Sequence, residues 1–531
     1  MLSPDAQNLL YFLSEFDQEL KKEANQPKVS LTTTVGFFAF IYEKIRNLVD
    51  YQEEHLLLRR AITRILIRLA KTQQKPQVLI EGLVRELFMA RYLEEGSLSQ
   101  AKVEQAAKIL EKYFLLLQNL GRRRLESGES LGEFLFSLAA REIEELFVPT
   151  NEDYLLTFAL KQLEKRIIWI KEADQASQEE KTTRLLVGLM RALAKYDDRT
   201  VYYKLWKLYF PDWKKGNEEA VFQVVKNFSE ADEIINRFLR EPWAEPLVRL
   251  LKKQIAPFEI LNDLINRGIL EIREIFSSPE KLAKAAAGAA DSRYWRAKNT
   301  LRRSAFNSFV YIFITKMIFA LAVEVPYELL VASQVNYLPI LINLLFPPSL
   351  MLFMTLSVET PKAENTQKIV KEILAMTFNE SQLEKIRVDF STQKSTFLAN
   401  LFRGLYALTF ILTFGLTLLV LKRLRFSLVS QGIFFFFLSS VSFFAYRIRS
   451  AFKELVVGEE EANLISHIFD FFMLPFVRLG RAISTGLREI NFFTFFFDII
   501  LEAPFKMVLE IIEEWTKFLK EKKEETLNII K

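Results

Sequence analysis

Cysteine is absent from this 531-residue chain, which excludes disulfides, thiolate metal sites and cysteine nucleophiles and leaves the redox compartment open. Histidine is nearly absent. His55 lies among Glu53, Glu54 and Leu56–Leu58 with no second His or Cys at ligand spacing, and His467, three residues before Asp470, has no nucleophile to serve. Glycine and proline number 16 each, about 3% apiece against averages of roughly 7% and 5%. That leaves too few turn residues for a β-sandwich or barrel, so a nearly all-helical chain is expected. There is no P-loop, Rossmann glycine run, HExxH or GxSxG, so neither an enzyme nor a cofactor is expected. Charge of one sign is lacking too: 71 basic against 66 acidic residues leave a net +5, a mixed surface rather than a nucleic-acid footprint. Met1–Glu23 has no basic n-region and carries Asp5, Glu15, Asp17 and Glu19, so it reads as neither a secretory signal nor an Arg-rich transit peptide.

What the chain has in abundance is phenylalanine, unevenly placed. Of 48 Phe, 17 precede Ser304 and 31 follow it. The apolar runs Phe306–Val323, Leu338–Val358, Leu398–Leu421 and Phe426–Tyr446 each approach the ~20 residues that cross a bilayer as helix. The expected fold class is all-α: an N-terminal soluble multi-helix domain, then a polytopic α-helical membrane domain with C-terminal amphipathic helices. The expected domains are 1–303, helical and cytoplasmic with a sub-boundary near 149; 304–358, a transmembrane hairpin; 359–397, a cytoplasmic loop; 398–446, a second hairpin; and 447–531, amphipathic membrane-surface helices.

Local signals mark the helices of the first part. Ser97–Gly121 carries Val103, Ala107, Leu110, Phe114 and Leu117 on one face, a capping box at Ser97 and Gln100, and a stop at Gly121. Leu58, Ile62, Ile65 and Leu69 share a face apart from Arg60, Arg64 and Arg68. Ser177 with Glu180, and Ser278 with Pro279, read as helix starts. Val148–Pro149–Thr150 is a break, and Asp197–Asp198 reads as a helix stop rather than a metal site. Arg122–Arg123–Arg124 follows a helix end and complements its dipole. No repeat of 34 to 47 residues is found by identity, which favours an irregular helical domain over a solenoid.

Basic residues set the expected topology. Arg293, Arg296, Lys298, Arg302 and Arg303 crowd before the first run, six Lys and Arg lie in 359–397, and Arg447, Arg449 and Lys453 follow the fourth run. If every run crosses, all three groups share the cytoplasmic side, with both termini, in a multi-pass cell-membrane protein. Lys422, Arg423 and Arg425 fall on the opposite side and leave open a shallow hairpin for runs three and four.

The candidate polar site is Lys316, Glu324 and Asn343. Lys316 sits mid-run; a central lysine costs roughly 3 kcal/mol, and about ten Phe, Ile, Leu and Val recover about 5, so the run still inserts. Regular α-helix puts Glu324 about 80° from Lys316, able to pair only by reaching along neighbouring faces. The residues read either as an ion or proton pathway, with Pro347–Pro348 breaking or kinking the second run, or as a structural pair between helices. A third reading, a membrane enzyme, has only Glu324, Glu328 and Glu359 as clustered carboxylates.

Beyond Gly458, Asn463–Ile490 and Asn491–Lys520 each combine a charged stripe with many Phe, as interfacial helices do. Arg478, Arg481 and Arg488, with Arg293, Arg296, Arg302 and Arg303, are candidate contacts for anionic lipids. The expected function is a membrane scaffold or anchoring protein that engages a protein partner, or further copies of itself, through its N-terminal domain. The alternative is a channel or transporter using Lys316, Glu324 and Asn343. Nucleic acid is not an expected partner.

Overall fold

The structure, a computed structural model, describes residues 1–29, 57–72, 75–121, 124–125, 128–170, 176–332, 336–357, 361, 363–378, 384–389, 396–453, 464–489 and isolated positions between 515 and 522. It is predominantly helical, and four of its helices are long and apolar enough to cross a membrane. His55, Glu359 and the segment Asn491–Lys520, for which an amphipathic helix is expected, lie outside the described residues apart from Trp515, Phe518 and Leu519.

Along the chain the helices are α1 (Pro4–Ala24), α2 (Leu57–Leu69), α3 (Pro76–Met89), α4 (Gln100–Leu120), α5 (Leu131–Phe147) and α6 (Glu152–Glu164). Strand β1 (Ile167–Ile170) follows, then α7 (Gln178–Ala192), α8 (Asp198–Tyr209), a 3₁₀ turn (Pro211–Lys215), α9 (Glu218–Arg240), α10 (Ala244–Lys252), α11 (Ala256–Ile265) and α12 (Ile269–Ile275). The apolar part holds α13 (Pro279–Phe319), α14 (Tyr337–Leu356), α15 (Ala363–Phe378), β2 (Ile386–Asp389), α16 (Thr396–Arg423), α17 (Leu428–Lys453) and α18 (Leu464–Glu489).

Caps explain where several helices begin. At α7, Ser177 accepts from the Glu180 N–H while Glu180 reaches back to the Ser177 N–H, the reciprocal box expected there. At α13, Ser278 accepts from Lys281 N–H with Pro279 in the first turn, also as expected. At α4 the cap is Ser99, which accepts from Lys102 N–H, and not Ser97. The donor to be satisfied lies three residues beyond the cap, and only Ser99 stands at that spacing from the helix entry. Asp197 likewise starts α8 instead of ending a helix: it accepts from Thr200 N–H and takes a bidentate ion pair from Arg59, at 2.5 Å to Oδ2 and 2.6 Å to Oδ1.

The described chain separates into two compact units, each assembled from distant stretches. One gathers the described residues of 11–156 and 194–244. Its core is aromatic: Trp206 meets Phe210, Trp213 and Phe228 at ring-centroid distances of 4.8, 5.9 and 5.8 Å. A charged layer runs through it. Glu145 pairs with Lys204 and Lys207, and Arg141 with Glu144 and Glu145. Burial alone would raise the Glu145 carboxyl, but Lys204, Lys207 and Arg141 outweigh it and hold the group down at about 2.

The other unit gathers residues 1–10, 157–193 and 245–490, so it joins the chain's beginning to the apolar helices. The 359–397 segment, expected as a loop, carries α15 and β2. β2 pairs in parallel with β1, Ile167 opposite Ile386, an addition to the expected all-α class. Arg166, 3% exposed, donates to the Glu384 carbonyl and to Glu372. Asn365 of α15 donates to the Tyr294 hydroxyl of α13 at 2.7 Å, and Ser3 binds the last turn of α15 through its N–H and hydroxyl.

The apolar helices turn greasy side chains outward: Phe306, Leu321, Ile411, Leu412, Leu416 and Leu419 are all exposed. In water such a surface would be a large apolar patch; against lipid it has a partner. α14 continues through Pro347 and Pro348 without interruption, so this segment is not a re-entrant loop. α18 packs lengthwise on α17, with Phe476 buried among Phe414 and Phe435. A Cβ at Gly480 would lie 2.0 Å from the Ser439 carbonyl oxygen, so only glycine permits this approach.

Candidate functional site

The chemistry-bearing residues of the apolar part converge at one point on α13 and α14. Lys316 is fully buried, and its ammonium donates to Asn343 Oδ1. The Asn343 amide donates to Glu324 Oε1 at 2.5 Å and to the Ser430 carbonyl of α17 at 3.3 Å. Lys316 Nζ stands 3.9 Å from Glu324 Oε1 and 4.4 Å above the Phe437 ring. Glu324 and Asn343 are each 1% exposed. Asn343 therefore bridges opposite charges on one helix while tying two neighbouring helices to it. Its Oδ1 faces the cation and its amide faces the anion, the only orientation that serves both.

The separation of about 80° expected for Lys316 and Glu324 is removed by a change of helix type. Residues Ala320–Glu324 form a π-helix, closed by an i→i+5 bond from the Val325 N–H to the Ala320 carbonyl. With roughly 4.4 residues per π-turn, four residues fall about 33° short of a full turn, whereas four α residues overshoot by about 40°. The two nearly cancel, and Glu324 returns to the face of Lys316. Pro326 follows at once; it has no N–H and its ring crowds the carbonyl four residues back, which favours the widened turn. That proline is the signal in the sequence that could have foretold the alignment.

Two further carboxylate features complete the region. Glu328, 2% exposed, accepts from the Asn336 N–H at 2.7 Å and so caps the start of α14. Glu324 Oε2 is buried and has no hydrogen-bond partner among the described residues. The site thus holds one cation, one anion bonded through a single oxygen, and one acceptor left over. Among the described residues no group of three or more His, Cys, Asp or Glu is placed to hold a metal ion.

The candidate arginines divide by what holds them. Arg293 is committed to protein: its guanidinium pairs with Glu259 at 3.0 Å and Asp263 at 2.9 Å. Arg296 reaches Asp263 at 3.4 Å and remains largely exposed. Arg302 and Arg303 are exposed and have no ion pair among the described residues. Arg478 is exposed and lies 5.0 Å over the Tyr406 ring, and Arg481 is exposed. The side chain of Arg488 lies outside the described residues. Arg293 and Arg296 look like the other arginines in sequence because their acidic partners on α11 lie some 30 residues away.

A second buried network, unmarked by any signal in the sequence, lies outside the apolar helices. Lys112 Nζ pairs with Glu142 and lies 4.5 Å above the Trp213 ring, while Trp213 Nε1 and the Tyr113 hydroxyl both donate to Glu142 Oε2 at 3.1 Å. Burial pulls the Lys112 ammonium below its ordinary range against the pull of Glu142. Every charge here is matched from within, so the network ties α4, α5 and the 3₁₀ turn together.

No protein-family model matches the chain, no curated protein matches it in sequence, and no solved structure matches it in fold.

Proposed function

We propose that the protein is a multi-pass membrane scaffold whose helices present a rigid soluble layer at the membrane surface. The observation that carries this reading is α13. It runs 41 residues without a break from Pro279 to Phe319, so the layer that begins at Ser278 and the first apolar run are one rod. About 60 Å of continuous helix transmits position rather than leaving it to a linker. α15 binds the same rod through Asn365 and Tyr294, which makes the stretch between the second and third apolar helices part of the platform. The basic clusters put that platform and both termini on the cytoplasmic side. Partners are a protein, or further copies of the chain, at the soluble helices, and anionic lipids at the arginines before the first span.

A channel or transporter is the second reading, favoured by the unpartnered Glu324 Oε2 beside Lys316 and Asn343. Reconstitution in liposomes separates the two. The scaffold reading expects no ion, proton or solute movement under imposed gradients, and in-cell cross-linking from α4 or α9 that captures a defined partner. A flux carried by the wild-type protein, with no cross-linked partner, would overturn it.

A further inference from the structure

A groove of about 970 Å³ runs between α11 and α13, its lining including Asp263, Arg267, Asp291, Ser292, Trp295 and Arg296. Trp295 is 67% exposed, an unusual position for so large an apolar ring. Two turns further along α13 come Arg302 and Arg303, exposed and without ion pairs among the described residues. One turn beyond them begins the outward apolar stripe of Phe306, Val310, Met317 and Leu321. Trp295, Arg302, Phe306 and Val310 follow one another at spacings of 7, 4 and 4, so they share a face of the helix. Groove, cations and greasy stripe form one continuous surface.

The dimensions select the occupant. The headgroup layer adds about 5–8 Å to each side of the hydrocarbon core, which matches the ~5 Å from Phe306 to the two arginines. Trp295 lies about 10 Å beyond Arg302 along the helix, past the reach of a simple phosphate headgroup. Asp263 is taken up by Arg293 and Arg296, and Arg267 by Glu271; Asp291 remains to disfavour a second phosphate and to accept from hydroxyl groups, which can also bond to Ser292 while a ring stacks on Trp295. We infer that this surface binds an anionic phospholipid with a polyhydroxylated headgroup: acyl chain along Phe306–Leu321, phosphate at Arg302 and Arg303, and the polyol ring in the groove against Trp295. The inference rests on the membrane reading proposed above and names the lipid class at its arginines.

The test uses the full-length protein in detergent micelles, titrated with phosphatidylinositol, phosphatidylglycerol or phosphatidylcholine, with bound lipid counted by native mass spectrometry. Phosphatidylinositol is expected to bind best and phosphatidylcholine least. Arg302→Gln with Arg303→Gln should weaken both anionic lipids, by roughly fivefold for each arginine. Trp295→Ala should lower phosphatidylinositol to the level of phosphatidylglycerol and leave the latter unchanged. Equal binding of the two anionic lipids by the wild-type chain, or a preference that survives Trp295→Ala, would overturn the inference. So would displacement of the lipid by equimolar soluble inositol phosphate, since the acyl chain is part of the site. Failure of the membrane reading reads out separately, as a chain that stays dispersed without detergent.

Discussion

Replacing Lys316 with leucine tests whether the buried pair is a structural tie. Lys316 and Glu324 are 1% exposed at their side chains with 3.9 Å between charged atoms. At an effective dielectric constant of about 20, that separation is worth about 4 kcal/mol of attraction. Lys316→Leu removes it and leaves Glu324 buried with Asn343 as its one remaining donor, so a loss of about 3–5 kcal/mol is expected. Lys316→Leu combined with Glu324→Gln removes both charges and should recover most of that loss, because replacing a whole buried pair by neutral groups is often neutral or stabilising. Asn343→Leu should cost less, about 1–2 kcal/mol, the usual ceiling for hydrogen bonds between helices in lipid. The assay is reversible unfolding of the four proteins in mixed micelles at one pH and ionic strength. A single Lys316→Leu variant as stable as the wild type, with no gain on adding Glu324→Gln, would refute the argument that Glu324 depends on Lys316.

Gly480→Ala is expected to part α18 from α17, since the new methyl would meet a backbone carbonyl at 2.0 Å and Phe443 Cβ at 2.7 Å, and only the far end of a side chain gives way cheaply. The cost should reach or exceed about 1–3 kcal/mol. In this chain, whose sequence has no cysteine, Phe435→Cys and Phe476→Cys should be joined by a short bifunctional thiol cross-linker, and less so on adding Gly480→Ala; an unchanged yield would count against the packing. Because Glu145 is held at about 2 in the fold against an ordinary 4.5, its contribution is complete above pH 4.5 and is lost as pH falls toward 2. Glu145→Gln should flatten that part of a melting-temperature profile followed by tryptophan fluorescence. Arg59→Ala, which leaves the partly exposed Asp197 cap of α8 with Thr200 alone, should cost about 1.5–3 kcal/mol in a denaturant titration, and equal stability would contradict the bidentate pair.

Composition and local pattern were enough for what depends on neighbours in the chain. Few glycines and prolines dictated helix, the length of the apolar runs marked four helices fit to cross a bilayer, and Ser177 and Ser278 marked their helix starts because a cap reads donors three residues away. Lys316, Glu324 and Asn343 were legible as candidates because an ionisable or amide group within an apolar run must find a partner. Their bonding was not legible. It required the π-turn at Ala320–Glu324, which Pro326 favours but does not dictate, and the arrival of α17 with the Ser430 carbonyl. The same holds for α15 and β2, where local pattern suggests a loop and the partners, Arg166 and Ile167, come from more than 200 positions away. Arg293 and Arg302 look alike in sequence, yet one is spent on Glu259 and Asp263 while the other faces outward. Periodicity and capping are short-range and therefore written along the chain, whereas the partner of a buried charge is whichever group the folded chain carries to it, and that only the tertiary structure decides.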